Sequence, residues 1–136
     1  MYLMNLSEKV KKSFLELAYL VAVADNNFSD EEKIVMEAYK NELQIDYDFQ
    51  NMDNINLDSV IQSICLNANE AEKKIIVFEI IGLAMTDNLY DDNERKTVKQ
   101  INEAFQMDAA YPSKCESLIE KYVELQTQID ALVIEN

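Results

Sequence analysis

Apolar side chains recur along this chain every three or four residues, and the recurrence breaks only at short polar stretches rich in Asp and Asn. The first periodic segment covers 7–24, with Val10, Phe14, Leu17, Ala18 and Val21 on one face of a helix. It stops at Asp25-Asn26. Ser29, with Glu32 three residues on, makes a capping-box pattern that opens a second helix to Leu43, with Ile34, Val35, Ala38 and Tyr39 expected to face inward. A polar connection, 44–56, follows; it is long for a helical bundle and has room for a helical turn of its own. Asn56 is expected to cap a third helix carrying Val60, Ile61, Ile64 and Cys65 inward, and Asn69 with Glu72 to cap a fourth.

The fourth segment is apolar nearly all round over 75–85, the mark of a centrally buried helix. Taken alone, Ile75-Ile76-Val77-Phe78 reads as a strand; the length of the segment and its alignment with the first helix favour a helix. Gly82 inside it costs about 1 kcal/mol relative to Ala, which predicts a close helix crossing there. A fifth helix is expected over 92–107. After Tyr111-Pro112 a last helix, about 112–135, carries the apolar stripe Leu118, Tyr122, Leu125, Ile129 and Leu132. Such a stripe is expected to be core; left exposed, it would be a protein-partner surface or a homodimer surface.

The pattern repeats with an offset of 62 residues, from Asp25 to Asp87. Ala22 pairs with Ala84, Asn26 with Asn88, Phe28 with Tyr90, Asp30 with Asp92, Glu32 with Glu94, Lys33 with Arg95, Gln44 with Gln106 and Asp46 with Asp108. Core pairs such as Val21 and Leu83 arise from helical patterning alone, but the same polar residues at one offset are the signature of a duplicated unit. The expected architecture is therefore an all-α, single-domain bundle of six to seven helices. It is built on a duplicated helix-turn-helix (about 7–46 and about 69–108) with pseudo-two-fold symmetry, followed by the last helix.

Composition agrees with this and removes several function classes. One Gly and one Pro leave little punctuation for hairpins. With 12 Lys plus Arg against 26 Asp plus Glu, the net charge of −14 repels phosphate backbones and anionic lipid, so nucleic acid is not an expected partner. The absence of His removes the usual general base and the usual zinc ligand. Cys65 and Cys115 have no paired metal-binding spacing and read as reduced core thiols of a cytoplasmic protein. Lys9, Lys11 and Lys12 before an apolar run ending Ala22-Val23-Ala24 resemble a signal peptide, but Glu16 interrupts the run and the segment recurs later in the chain. No run approaches the length of a membrane span.

The candidate chemistry lies at the two acidic turns, 25–32 and 87–94. An Asp at the C-terminal end of an apolar helix faces the negative pole of its dipole, a penalty of roughly 0.3–1 kcal/mol, so backbone hydrogen bonds or a cation should compensate. At Val23-Ala24-Asp25-Asn26-Asn27-Phe28-Ser29 with Glu32, and Met85-Thr86-Asp87-Asn88-Leu89-Tyr90-Asp91 with Glu94, the chain resembles the TerB-like family, the helical domain named for bacterial tellurite-resistance proteins. Members often have Gly after the turn Asp, where this chain has Asn26 and Asn88; Asn tolerates the left-handed backbone better than other non-Gly residues. The resemblance implies an all-helical domain, a bacterial setting and a cation-linked role in stress-response or envelope-associated complexes, and it implies no established catalytic activity. It places the acidic positions on Asp25, Glu32, Asp87 and Glu94.

The spacing has its own logic. Asp, a turn residue, five residues and Glu form the second half of an EF-hand loop; the first half is missing, because Val21 and Val23, or Leu83 and Met85, stand where its acidic ligands belong. One half-loop supplies too few oxygens for calcium, whereas two facing half-loops could supply four carboxylates for calcium, magnesium or manganese. Alternatively Ser29 with Glu32 and Asp91 with Glu94 are ordinary helix caps. Phe28 and Tyr90 read as corner plugs, and the basic groups at Lys9, Lys11 and Lys12 and at Arg95, Lys96 and Lys99 as solvated helix faces. Three functions follow in order: a non-enzymatic, cation-responsive interaction domain; a metal-free protein-interaction domain; and a metal-dependent hydrolase using carboxylates, for which the chain has no evident nucleophile, no base other than carboxylate and no phosphate-cradling Gly loop.

Overall fold

The computed structural model describes residues 2–23, 30–46, 55–85 and 90–134, and every regular element among them is helical. A short 3-10 turn, Leu3–Asn5, leads into α1 (Glu8–Ala22), α2 (Asp30–Leu43), α3 (Leu57–Asn67), α4 (Glu70–Ala84), α5 (Asp92–Ala104) and α6 (Tyr111–Val133). The protein is all-α, and the described elements share one hydrophobic core.

Helix starts follow from cap chemistry. The Asn56 side chain accepts the Asp58 and Ser59 N–H groups at 2.8 and 3.3 Å and opens α3. Asn69 accepts the Glu72 N–H at 2.8 Å while the Glu72 carboxylate accepts the Asn69 N–H at 3.1 Å, a full capping box at the head of α4. Asp91 and Glu94 do the same for α5, at 2.8 and 3.4 Å.

The 62-residue step reappears in the helix bounds: α1 and α4 begin at Glu8 and Glu70 and end at Ala22 and Ala84, and α2 and α5 begin at Asp30 and Asp92. It also reappears where α2 and α5 stop. Gln44 (φ 58°) and Gln106 (φ 57°) are both left-handed. The Ile45 N–H donates to the Lys40 carbonyl and the Met107 N–H to the Asn102 carbonyl, each at 3.2 Å; Gln44 and Gln106 donate to Asn41 and Glu103. Both ends are Schellman motifs, in which two backbone bonds offset the cost, about 1 kcal/mol or more, of a left-handed residue with a Cβ.

The helices α1 and α4 form the centre. The first packs chiefly on α3, α2 and α4, the second on α6, α1 and α5. Phe14 of α1 meets Tyr39 of α2 edge to face at 5.2 Å, and the Tyr39 hydroxyl donates to the Glu79 carbonyl of α4 at 3.0 Å. Burial pushes the Tyr39 phenol well above its ordinary range, with Glu79 adding to the effect, so it stays a donor.

Three expectations fail here. The inward face of α2 is Glu32, Met36, Tyr39 and Leu43, whereas Ile34 is 70 % exposed and Ala38 is exposed too. Which side of the helix is buried is set by packing against α1, and Ile34 lies on the wrong side of that contact. Gly82 marks no close crossing, since a Cβ built there meets nothing within 4 Å. The stripe of α6 is not core: Leu118, Tyr122, Leu125, Ile129 and Leu132 are all exposed.

A fourth feature was not anticipated. Residues 2–7 are bound to α4 by two buried carboxylates. Glu79 Oε1 accepts the Tyr2 N–H at 2.9 Å, and Glu72 Oε2 accepts the Ser7 N–H at 2.9 Å, while Leu3 and Leu6 are buried beside them. One repeat earlier the same positions are Val10 and Leu17, both fully buried. The second copy thus carries acids where the first carries aliphatic groups, and it uses them to hold the chain ahead of α1. Ser7 and Asn69, the N-cap residues of α1 and α4, both donate their N–H to Glu72.

Candidate functional site

Of the four acidic positions at the turns, Glu32 and Glu94 are described; Asp25 and Asp87 lie outside the described residues, as do Phe28 and Ser29. Glu32 is 3 % and Glu94 4 % exposed, so the repeat places a buried carboxylate in the first turn of both α2 and α5. Both stand near helix N-termini, where the dipole favours negative charge. The Glu94 carboxylate closes the α5 capping box. The helices that carry the two residues are not principal partners: α2 packs on α1, α4 and the 3-10 turn, α5 on α4, α6, α1 and α3. Among the described residues no three His, Cys, Asp or Glu side chains group closely enough to hold a metal ion.

At the second corner Tyr90 and Arg95 form a stack, the guanidinium carbon 4.2 Å from the ring centroid. The same guanidinium makes two parallel bonds to the Glu116 carboxylate, at 2.9 and 2.8 Å, joining α5 to α6. Arg95 is therefore a clasp between two helices, while Tyr90 packs against the core as a plug would. Burial pushes the Tyr90 phenol up to about 12, helped by Glu116 and opposed by Arg95.

Beside the clasp a shallow cleft of about 210 Å³ lies between α5 and α6, lined by Tyr90, Arg95, Asn102, Pro112 and Glu116 among others. Asn102 donates to the Asp108 carbonyl at 3.0 Å and holds the α5–α6 corner, while its buried Oδ1 has no partner among the described residues. The Cys115 thiol is pushed up by burial, which keeps it protonated and unreactive at neutral pH. The Cys65 thiol donates to the Ala104 carbonyl at 3.5 Å, a structural contact between α3 and α5.

Most of the large apolar side chains exposed among the described residues are on α6 or the residue after it. This helix of 23 residues buries only Cys115, and from Leu118 onward it exposes Leu118, Tyr122, Val123, Leu125, Ile129, Leu132, Val133 and Ile134. Leu125, in the middle, is 55 % exposed. Five of these, Leu118, Tyr122, Leu125, Ile129 and Leu132, follow one another at alternating steps of four and three along about 21 Å of helix. Fully burying a Leu or Ile side chain is worth roughly 1.5–3 kcal/mol relative to leaving it exposed. A row of five is thus a substantial reserve of association energy, far beyond the scattered apolar residues of an ordinary surface. The 4-3 step was legible in the sequence; its exposure was not.

Comparison with protein-family models, with characterised proteins and with solved structures gives no match to this chain. Among the described residues no helix is long and apolar enough to cross a membrane.

Proposed function

We propose that this chain is a non-enzymatic helical docking module that engages a protein partner through the exposed seam of α6. The observation that carries the reading is the five-residue row from Leu118 to Leu132, presented on a preformed helix whose base is anchored by Cys115, by the Tyr111 hydroxyl bond to the Lys74 carbonyl at 2.7 Å, and by the Arg95–Glu116 clasp. A helix already folded on its domain docks without the nucleation cost an isolated peptide meets. Acidity shapes the partner: with a net charge of −14 the domain disfavours nucleic acid and anionic lipid, which leaves a protein surface. The resemblance to the TerB-like family supports a bacterial stress-response or envelope-associated complex, at its cytoplasmic side, as the setting.

Native-size separation of cell extract tests this. The chain is expected in a complex larger than the monomer, and Leu125→Glu is expected to release it at monomer size without loss of helicity. Monomer-sized elution of the unsubstituted chain would overturn the reading.

The resemblance to the TerB-like family supports a second function for the same module, in which calcium, magnesium or manganese held by Asp25, Glu32, Asp87 and Glu94 sets the angle between helices. Calorimetric titration of chelator-treated protein with each ion decides it. Binding lost in Asp25→Ala/Asp87→Ala supports an ion; absence of heat and of any melting shift leaves the carboxylates as helix caps.

A further inference from the structure

The geometry points to a second copy of this chain as the occupant of the α6 seam, in an antiparallel two-stranded coil. This rests on the docking reading above and names its partner.

The 4-3 alternation runs the whole length of α6, through Tyr111, Cys115, Leu118, Tyr122, Leu125, Ile129 and Leu132. An average step of 3.5 residues is the signature of a helix that pairs with another helix along a narrow seam, with Leu at alternate positions, here Leu118, Leu125 and Leu132. Helices packed on a globular core show a broader stripe.

Charge selects among helical partners. A strongly acidic chain repels its own copy, unless the surfaces that meet are free of carboxylates. The positions flanking the exposed seam are Ile119, Lys121, Gln126, Gln128 and Val133, with no acid among them, whereas Glu120, Glu124 and Asp130 lie farther from it. Recognition of a basic helix would draw on acidic flanks. Flanks free of acid, with Lys121 the one charge among them, fit an identical partner, because the two copies then meet without carboxylate repulsion.

Orientation follows from the base of the helix. Tyr111 and Cys115 begin the same seam but are already covered: Cys115 is 4 % exposed, and the Tyr111 hydroxyl bonds α4. A parallel copy in register would need its own Tyr111–Cys115 turn in the space α4 occupies. An antiparallel copy meets that obstacle only at its last turn, where Leu132 comes opposite the covered Cys115, and leaves the layers from Leu118 to Ile129 free to pair. In that arrangement Leu118 pairs with Ile129 of the second copy, Tyr122 with Leu125, and Lys121 stands opposite Gln128. Two-fold symmetry closes the contact and leaves no seam for a third copy.

Sedimentation of the purified full chain over a wide concentration range tests the pairing. A reversible monomer–dimer equilibrium is expected, shifted at least tenfold toward monomer by Leu125→Glu and again by Ile129→Glu, with circular dichroism unchanged because both side chains are exposed. For orientation, in a Cys65→Ser background, Leu118→Cys mixed with Ile129→Cys is expected to form the mixed disulfide faster than either variant forms its own. Preferential disulfide formation by Leu118→Cys alone would overturn the antiparallel arrangement. A purified chain that stays monomeric at millimolar concentration would overturn self-pairing altogether. If the complex in cell extract still dissolves on Leu125→Glu, the docking function survives with a foreign helix in the seam; if no complex exists there either, both readings fall.

Discussion

Substituting Glu72 by Gln changes one oxygen of a carboxylate into an NH2 group and leaves volume and helix propensity almost unchanged. In the native protein that carboxylate accepts the N–H groups of Ser7 and Asn69 at 2.9 and 3.1 Å, each from a different oxygen. The amide can serve only one of them and must turn a donor toward the other. A hydrogen bond to a charged group contributes about 1.5–3 kcal/mol, and an N–H left facing a donor adds its own desolvation cost. The expected destabilisation is therefore about 2–3 kcal/mol at neutral pH, large against the roughly 5–15 kcal/mol of a typical domain.

The pH dependence separates this from a generic packing defect. Burial alone would raise the Glu72 carboxyl, but the bonds from Ser7 and Asn69 outweigh it and hold the group below its ordinary range. A carboxyl depressed in the folded state stabilises fully above its unfolded value of about 4.3, and the contribution is lost as pH falls through the folded value. The gap between the native chain and Glu72→Gln should thus be constant from about pH 7 to about pH 5 and shrink in stronger acid. Urea unfolding followed by circular dichroism at several pH values measures it. A gap under about 0.5 kcal/mol at neutral pH, or one that widens on acidification, would refute the bridge as described.

Three further perturbations test other parts of the fold. Gly82→Ala should stabilise by about 0.5–1 kcal/mol in thermal or urea unfolding, because the new Cβ enters open space within a helix. Gln106→Gly should stabilise by about 0.5–1 kcal/mol, since it relieves a left-handed residue at φ 57° while keeping both Schellman bonds; destabilisation would mean that the Gln side chain contributes a contact of its own. Arg95→Lys should cost only about 0.5–1 kcal/mol, because the clasp is half exposed and screened, and a double-mutant cycle with Glu116→Gln should recover most of that as coupling.

Local chemistry was the most legible part of the sequence. Asn56, Asn69 with Glu72, and Asp91 with Glu94 cap the helices they were expected to cap, because a cap depends on four consecutive residues and little else. The offset of 62 carried into helix bounds and even into the left-handed pair Gln44 and Gln106, whose identity at matching positions was visible before their conformation was. Which side of a helix is buried was harder. For α2, residue hydrophobicity pointed to Ile34 and Ala38, while the repeat itself held the answer: Val98, Ile101 and Phe105 of the second copy align with Met36, Tyr39 and Leu43. The N-terminal segment was not read at all, because Glu72 and Glu79 look like surface residues until a partner for their oxygens is known. The α6 stripe departs from the expected core position for the same reason, since a period specifies a face but not what lies against it. The acidic turns stand half described, with Glu32 and Glu94 buried and Asp25 and Asp87 outside the described residues.

The docking role of α6 is tested most directly by photo-crosslinking inside cells from two adjacent positions, one benzophenone side chain replacing Gln126 beside the seam and another replacing Thr127 on the opposite face. The account predicts a discrete adduct from position 126 that disappears with Leu125→Glu, and little or none from position 127. Equal labelling from both positions, or no adduct from 126, would contradict it.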